Sequence, residues 1–382
     1  MRDLVLVGGG HTHVAALKKF ALRPVPGVRV TLLSRDLQAP YSGMLPGYIA
    51  GHYSFGEAHI DLARLCRFAG VRFFHDEVTG LDPVRKRLSC RARPDVNYDV
   101  LSINVGSAPD ISAVCGAAAH VTPVKPIDGF VDHWQSLCER LIARQGDARI
   151  GMVGAGAGGV ELTLAIQCRL QQLLGASRSD CPRLEFHLFT DASDVLVTHN
   201  RGVRARFRRV LAERNINVHT GHKVTAVRAG ALQCANGATF ALDEMLWATR
   251  ARAQAWPATA GMEVDEQGFI KVNNTLESVS QPNIFAAGDI AHIISYPRPK
   301  SGVFAVRQGA PLSLNLRNRL LGRPLKPYFP QREFLSLIST GDKYAIASRS
   351  WWSLEGHWVW RWKDRIDRRF VRKYNCLNDR AG

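Results

Sequence analysis

No two of the eight cysteines, at positions 66, 90, 115, 138, 168, 181, 234 and 376, form a CxxC or CxxxxC pair. That absence excludes a local redox disulfide and argues against a structural zinc site, so no metal site is expected. Free thiols in a reducing cytoplasm are the simplest account, with Cys115 and Cys168 read as core residues. No uninterrupted apolar run approaches the roughly 18 residues that a membrane-spanning helix needs. A signal peptide is not expected either, because Leu4 to Val7 already read as a strand entering Gly8, with no cleavage-site pattern behind it. Acidic residues are the minority: 33 Asp and Glu stand against 50 Lys and Arg, a formal net charge of +17. Such an excess points to an anionic partner (a nucleotide, an acidic membrane surface or nucleic acid) or simply to a basic surface. With 46% hydrophobic and 22% charged residues, the 382-residue chain is neither disordered nor collagen-like, and its length suits two or three domains.

What is present is glycine in clusters. Leu4-Val-Leu-Val7 leads into Gly8-Gly9-Gly10-His11-Thr12-His13, and the apolar spacing beyond suits a helix. Glycines between a strand and a helix let backbone N–H groups approach a diphosphate where the helix dipole favours anions. His13 stands where the third glycine of a GxGxxG loop usually sits, which predicts looser helix–strand packing there. A complete copy lies 146 residues further on, Gly154-Ala-Gly156-Ala-Gly-Gly159, followed by Val160-Glu161-Leu162. The strands after the two loops, Val28–Leu33 and Leu184–Phe189, should end in a ribose-reading acid. They end instead in Ser34-Arg35-Asp36 and Thr190-Asp191. A hydroxyl can still bond ribose, but the usual argument for NAD over NADP is gone. A third segment, Asn283-Ile-Phe-Ala-Ala-Gly288-Asp289, puts a carboxylate at a strand end, where it could serve a cofactor hydroxyl or simply cap a turn.

Together these segments resemble the pyridine nucleotide–disulfide oxidoreductase superfamily over residues 1 to about 330. The fold class expected is α/β, with two Rossmann-like dinucleotide-binding domains, for FAD and NAD(P), and a C-terminal extension. The resemblance implies an FAD-binding segment at 1–120, an NAD(P)-binding domain at 121–260, a returning FAD segment at 261–330 and an aromatic, basic extension at 331–382. It assigns Gly8, Gly9, Gly10 and Asp289 to FAD and Gly154, Gly156 and Gly159 to the nicotinamide nucleotide. Val78 fits the position whose backbone meets adenine. Val105-Gly106-Ser107 and Trp247-Ala-Thr249-Arg250 fit the two crossover segments, with Arg250 in place of the second glycine. The cofactor set is completed by His11, Ser34, Arg35, Ser42, Gly43, Gly288 and Val303. Two residues are expected to act in catalysis. Glu161 would handle protons or nicotinamide, unless it only stabilises its helix N-terminus. Lys300 would stabilise an anionic reduced flavin or acceptor, unless it and Arg307 are merely solvated cations.

Within the superfamily the chain is similar to the type II NADH dehydrogenase and sulfide:quinone oxidoreductase branch. It is closer still to the flavoprotein domain associated with selenide, water dikinase, through residues 39–48 and 362–370. The resemblance implies an FAD-dependent NAD(P)H oxidoreductase passing electrons to a quinone-like or other acceptor. Two other readings stay open: a flavin-binding regulatory or scaffold protein linked to selenium metabolism, and a sulfur- or selenium-oxidising flavoenzyme, which needs a thiol near the flavin. Five of the eight tryptophans fall at 351, 352, 358, 360 and 362, and residues 361–373 carry seven bases against Asp364 and Asp367. On a helix, Trp358, Trp362, Ile366 and Phe370 would form one apolar stripe beside a cationic face, the composition of an interfacial helix. Peripheral contact with an anionic membrane, on its inner face, is therefore expected beside ordinary packing on the FAD domain. A nucleic-acid partner is not, since no recognised module accompanies these aromatics. The oligomeric state, the acceptor and the choice between NADH and NADPH stay open at this level.

Overall fold

The computed structural model describes residues 1–112, 114–144, 146–175, 183–249 and 251–377. Two five-stranded parallel sheets organise it. The first runs Ile284–Ala286, Val100–Ile103, Arg2–Val7, Val28–Ser34 and Arg72–His75 in that spatial order. The second runs Thr122–Pro123, Glu244–Trp247, Ala148–Val153, Leu184–Phe189 and Ile216–His219. Each centres on the strand that precedes a glycine loop. Leu4, Val5, Leu6 and Val7 are all buried, as a parallel strand covered on both faces requires. The helices that leave the loops are His11–Leu22 and Ala157–Gly175; in the second, Leu162, Leu164, Ala165, Cys168 and Leu170 are all buried. A short antiparallel pair, Ala108–Pro109 with Ala251–Arg252, carries the chain between the halves. Ile111, Val114 and Ala117 pack into an apolar cluster of the second half with Phe189 and Trp247. Cys115 beside them is exposed, which corrects its expected place in a core, whereas Cys168 is buried.

His13 does not leave the first helix loosely packed. Its imidazole is fully buried, with Nδ1 2.7 Å from the Gly8 carbonyl and Nε2 2.8 Å from the Ser102 hydroxyl. The ring fills the space that glycine would leave and ties the loop to the neighbouring strand.

The C-terminal residues join both halves. Strands Ser336–Ser339, Ala345–Arg349 and Trp352–Gly356 form an antiparallel sheet, whose Ile338 and Ile346 enter the second core. The helix His357–Asn375 then places Val371 and Tyr374 in the first core. Its buried face is Val359, Lys363, Asp367, Val371 and Tyr374. Trp358, Trp362 and Ile366 lie on the exposed side, and Phe370 leaves the expected stripe to stack on Tyr41 with centroids 4.5 Å apart. The reason is geometric. At 3.6 residues per turn, each step of four advances about 40° around the helix, so a row that starts in solvent reaches the buried flank three steps later.

Lys363 and Asp367 are buried together at 2.8 Å, and the Lys363 ammonium also donates to the Gly43 carbonyl at 2.6 Å. Tyr41 hydrogen-bonds Asp367, and burial beside that carboxylate pushes the phenol pKa up. Removing one member of a buried pair leaves the other charge uncompensated. Lys363→Ala is expected to lose about 3–5 kcal/mol, read as a lowered urea midpoint, whereas Trp362→Ala on the exposed side should change stability by roughly 0.5 kcal/mol or less. Equal losses in the two variants would mean that the helix is seated differently.

Candidate functional site

A deep cleft follows the C-terminal ends of the first sheet. Its walls include Gly8, Gly9, Gly10, His11, Ser34, Arg35, Ser42, Val78, Gly106 and Asp289, so ten of the expected cofactor residues come together. Backbone contact dictates the loop. At Gly8 φ is +92°, and a Cβ there would stand 2.5 Å from the Asn104 carbonyl oxygen. Asn104, unmarked in the sequence, follows the strand Val100–Ile103; its side chain accepts from the His13 amide at 3.3 Å and donates to the Ala287 carbonyl at 2.6 Å. That buried amide brings the Gly288–Asp289 turn beside the first glycine loop. A polar residue ending an apolar strand was the available signal.

Asp289 is held from two sides. Burial works to raise its pKa, but the Lys125 ammonium at 2.9 Å and the Ser107 hydroxyl at 3.1 Å, both on the same oxygen, hold it below the usual carboxylate value. His11 is the opposite case. Burial pushes its pKa down to about 4, its Nε2 lies 3.4 Å from the Ser42 hydroxyl, and Nδ1 is buried with no partner among the described residues. At the other end Arg35 forks onto Asp36 at 3.1 and 3.3 Å and reaches Asp128 at 2.7 Å. Ser34 is buried, and its hydroxyl accepts the Asp36 amide at 3.3 Å. These groups fit a dinucleotide: loop amides at a helix N-terminus for a diphosphate, an orphan imidazole nitrogen, and a buried carboxylate for hydroxyls.

The remaining expected residues lie elsewhere. Gly43 sits behind Ser42 and gives its carbonyl to Lys363. Gly288 donates its amide to Gln308 at 2.6 Å. Gly302 and Ala305, rather than Val303, line the cleft. Lys300 is outside its wall: the ammonium donates to the Ala291 carbonyl at 2.6 Å, lies 3.9 Å from the Phe269 ring centroid, and has its pKa pushed down to about 8 by burial. It braces the turn that carries Asp289 and is not presented to the cleft.

The second loop repeats the first. Gly154 has φ +113°, and its Cβ would stand 2.7 Å from the Ala248 carbonyl oxygen; a Cβ on Gly159 would overlap the Gly154 carbonyl. Above Gly156 there is open space among the described residues, with none of their heavy atoms within 4 Å of its Cβ position, as an approaching anion needs. Thr190 is buried, and its hydroxyl accepts the Ala192 amide at 3.2 Å, so it closes a turn rather than standing free. The Arg250 departure lies outside the described residues. Glu161 accepts the Ser339 amide at 2.6 Å; burial raises its pKa, with Lys363 opposing. Lys363 and Lys125 were both missed by sequence reading, because only the fold brings 363 to 161 and 125 to 289.

A family model described as pyridine nucleotide-disulphide oxidoreductase matches residues 2–309. The NADH dehydrogenase-like protein YutJ of Bacillus subtilis is 24% identical over 354 residues, 90% of this chain and 91% of that protein. The NADH dehydrogenase-like protein Rv1812c of Mycobacterium tuberculosis is 26% identical over 302 residues, 74% and 71% of the respective chains. In fold, the chain is similar to the sulfide:quinone oxidoreductase of Aquifex aeolicus, with TM-score 0.80 at 20% identity over 98% of this chain and 92% of that one. NDH2 of Plasmodium falciparum, solved in complex with NADH, gives TM-score 0.79 at 16% identity over 97% and 98%.

If Asp289 holds cofactor hydroxyls, Asp289→Ala removes a charge-assisted hydrogen bond of about 1.5–3 kcal/mol. Bound FAD per chain, measured by absorbance after ultrafiltration, should then fall. Full occupancy with unchanged affinity would reject the assignment.

Proposed function

The chain belongs to the pyridine nucleotide-disulphide oxidoreductase family, and from that premise we propose that it is an FAD-dependent NAD(P)H dehydrogenase delivering electrons to a quinone-like acceptor. FAD and NAD(P)H are the cofactors of this family. What carries the reading is a repetition with one difference. Both sheets centre on a strand, a glycine loop and a buried helix, but the carboxylate facing the first loop, Asp289, comes from the turn after another strand, whereas Glu161 beside the second loop belongs to that loop's own helix and accepts the Ser339 amide. Residues 1–120 and 261–330 are taken to serve FAD, and 121–260 the nicotinamide nucleotide. When bound, FAD takes hydride from nicotinamide and gives electrons to an acceptor, so the protein's part is positioning, exclusion of water and proton handling.

The chain's own residues suit those tasks. Gly154, Gly156 and Gly159 shape the second cradle, and the open side at Gly156 admits the nicotinamide diphosphate. Glu161 lies beneath Ser339 near Lys363, which in turn bonds the Gly43 carbonyl. A buried carboxylate whose pKa is raised, bonded to the Ser339 amide and near a buried ammonium, can take up and return a proton, and we assign that task to Glu161. Thiol chemistry is not favoured: among the described residues lining the first cleft there is no cysteine. The likeness to the flavoprotein domain associated with selenide, water dikinase rests on residues 39–48 and 362–370. These segments touch each other here, through Lys363 on Gly43 and Phe370 on Tyr41.

Among the described residues no helix is long and apolar enough to cross a membrane. The tail helix instead exposes Trp358, Trp362 and Ile366 together with Arg361, Arg365 and Arg369, and Trp351 nearby is 84% exposed. Rings that reach headgroup depth beside bases facing anionic lipid suit a peripheral membrane face, where a quinone is at hand.

Anaerobic mixing with NADH and with NADPH should bleach the flavin absorbance in stopped flow. Gly156→Val should slow that bleaching with FAD retained, because its side chain occupies the space kept for the diphosphate. Failure of both nucleotides with wild type would favour the scaffold reading. For the membrane face, wild type should sediment with anionic liposomes at low salt, and Trp358→Ser/Trp362→Ser should not. A double variant that binds like wild type removes the membrane proposal.

A further inference from the structure

The wall of the first cleft is not built by the first half alone. Lys125, Pro126, Ile127 and Asp128 form one side of it. They lead into the helix Ile127–Ala143, whose Phe130, Trp134 and Leu137 are buried in the core of the second sheet. The segment is tied at both ends to residues of the cleft. Lys125 holds Asp289 at 2.9 Å, and Arg35 holds Asp128 at 2.7 Å. Side chains of Lys125 and Asp128 keep 36% and 38% of their exposure, against 14% for Asp289. Partly solvated pairs of this kind are weak and reversible.

The charge balance makes the two cations decisive. Five carboxylates line the cleft, from Asp36, Asp76, Glu77, Asp128 and Asp289, and the cations among its described lining residues are Arg35 and Lys125. His11 is buried and uncharged near neutrality, and Lys300, outside the lining, acts on Asp289 from behind the turn. A doubly charged diphosphate at Gly8–Gly10 therefore meets a wall of its own sign, relieved by loop amides and by these two side chains.

We propose that residues 125–128 are a strap carried by the second half across the FAD cleft: Lys125 is the cation that offsets the cofactor diphosphate, and the Arg35–Asp128 pair is the latch that opens before FAD leaves. The proposal rests on FAD occupying the first cleft. It explains why Arg35 bonds Asp128 as well as its neighbour Asp36, and why the lysine on Asp289 comes from the nicotinamide side. The latch joins an arginine of the first half to the first turn of a helix seated in the other core. FAD retention thereby depends on how the two halves sit together.

The experiment measures FAD release from purified holoenzyme, by rapid dilution and ultrafiltration, at low and high salt. Asp128→Asn lies at the surface and removes one end of the latch; it should release FAD several-fold faster, with stoichiometry at saturating FAD unchanged. Wild-type release should accelerate with salt, and that acceleration should be smaller in Asp128→Asn, in which the Lys125 contribution remains. Lys125→Gln should release FAD at least tenfold faster and Lys125→Arg much less so, while Glu139→Gln on the exposed side of the same helix should match wild type. If Lys125→Gln does not fold, Lys125→Arg and Asp128→Asn still carry the comparison. Holoenzyme in which Asp128→Asn and the Lys125 variants release FAD at the wild-type rate, with the wild-type salt response, overturns the strap alone. A wild-type chain that takes up no FAD overturns the cofactor assignment and the strap with it.

Discussion

Both halves are organised by one close contact between backbone segments. Each glycine loop leaves its central strand against the carbonyl that ends the neighbouring strand, Asn104 under Gly8 and Ala248 under Gly154. At that distance no side chain fits, and the positive φ at both positions keeps the amides of the loop turned toward the helix N-terminus. The rest follows from where this contact places things. The helix dipole points at an anion, the ends of neighbouring strands converge on it, and residues after those strands become its walls.

The two copies use the contact differently. In the second, Gly159 packs directly against Gly154, and the space over Gly156 stays open. In the first, His13 replaces that packing glycine and recovers the contact through hydrogen bonds on both ring nitrogens. The first loop is thus stiffened from behind by His13 and Asn104, and it is faced by a carboxylate on the adjoining turn. Such a difference suits one tightly held dinucleotide and one that comes and goes.

The C-terminal residues decide how the copies meet. Their sheet enters the second core, their helix enters the first, and the buried Lys363–Asp367 pair lies where both touch Gly43 and Glu161. A buried ion pair adds little stability relative to apolar packing, but breaking it is costly, so it favours one seating of the helix over others. The exposed tryptophans on the opposite side are then available for a surface rather than for the core.

Much of this was present in the order of residues alone. Apolar runs entering glycines set the two central strands and the helices after them, because burial on both faces of a parallel strand leaves little choice of residue. Gly-Asp at the end of Asn283–Ala287 marked the carboxylate, and the lack of paired cysteines excluded a disulfide centre. The tertiary structure decided what depends on contacts across the chain. Lys125 meets Asp289 across 164 positions and Ser339 meets Glu161 across 178, separations over which no local spacing rule operates. It also decided which side of the tail helix is inside. The i+4 row of Trp358, Trp362, Ile366 and Phe370 describes a line on the helix, but hydrophobicity alone could not reveal that a lysine and an aspartate would be buried instead. They are buried because Gly43 and Tyr41 supply the hydrogen bonds that let those charges leave water.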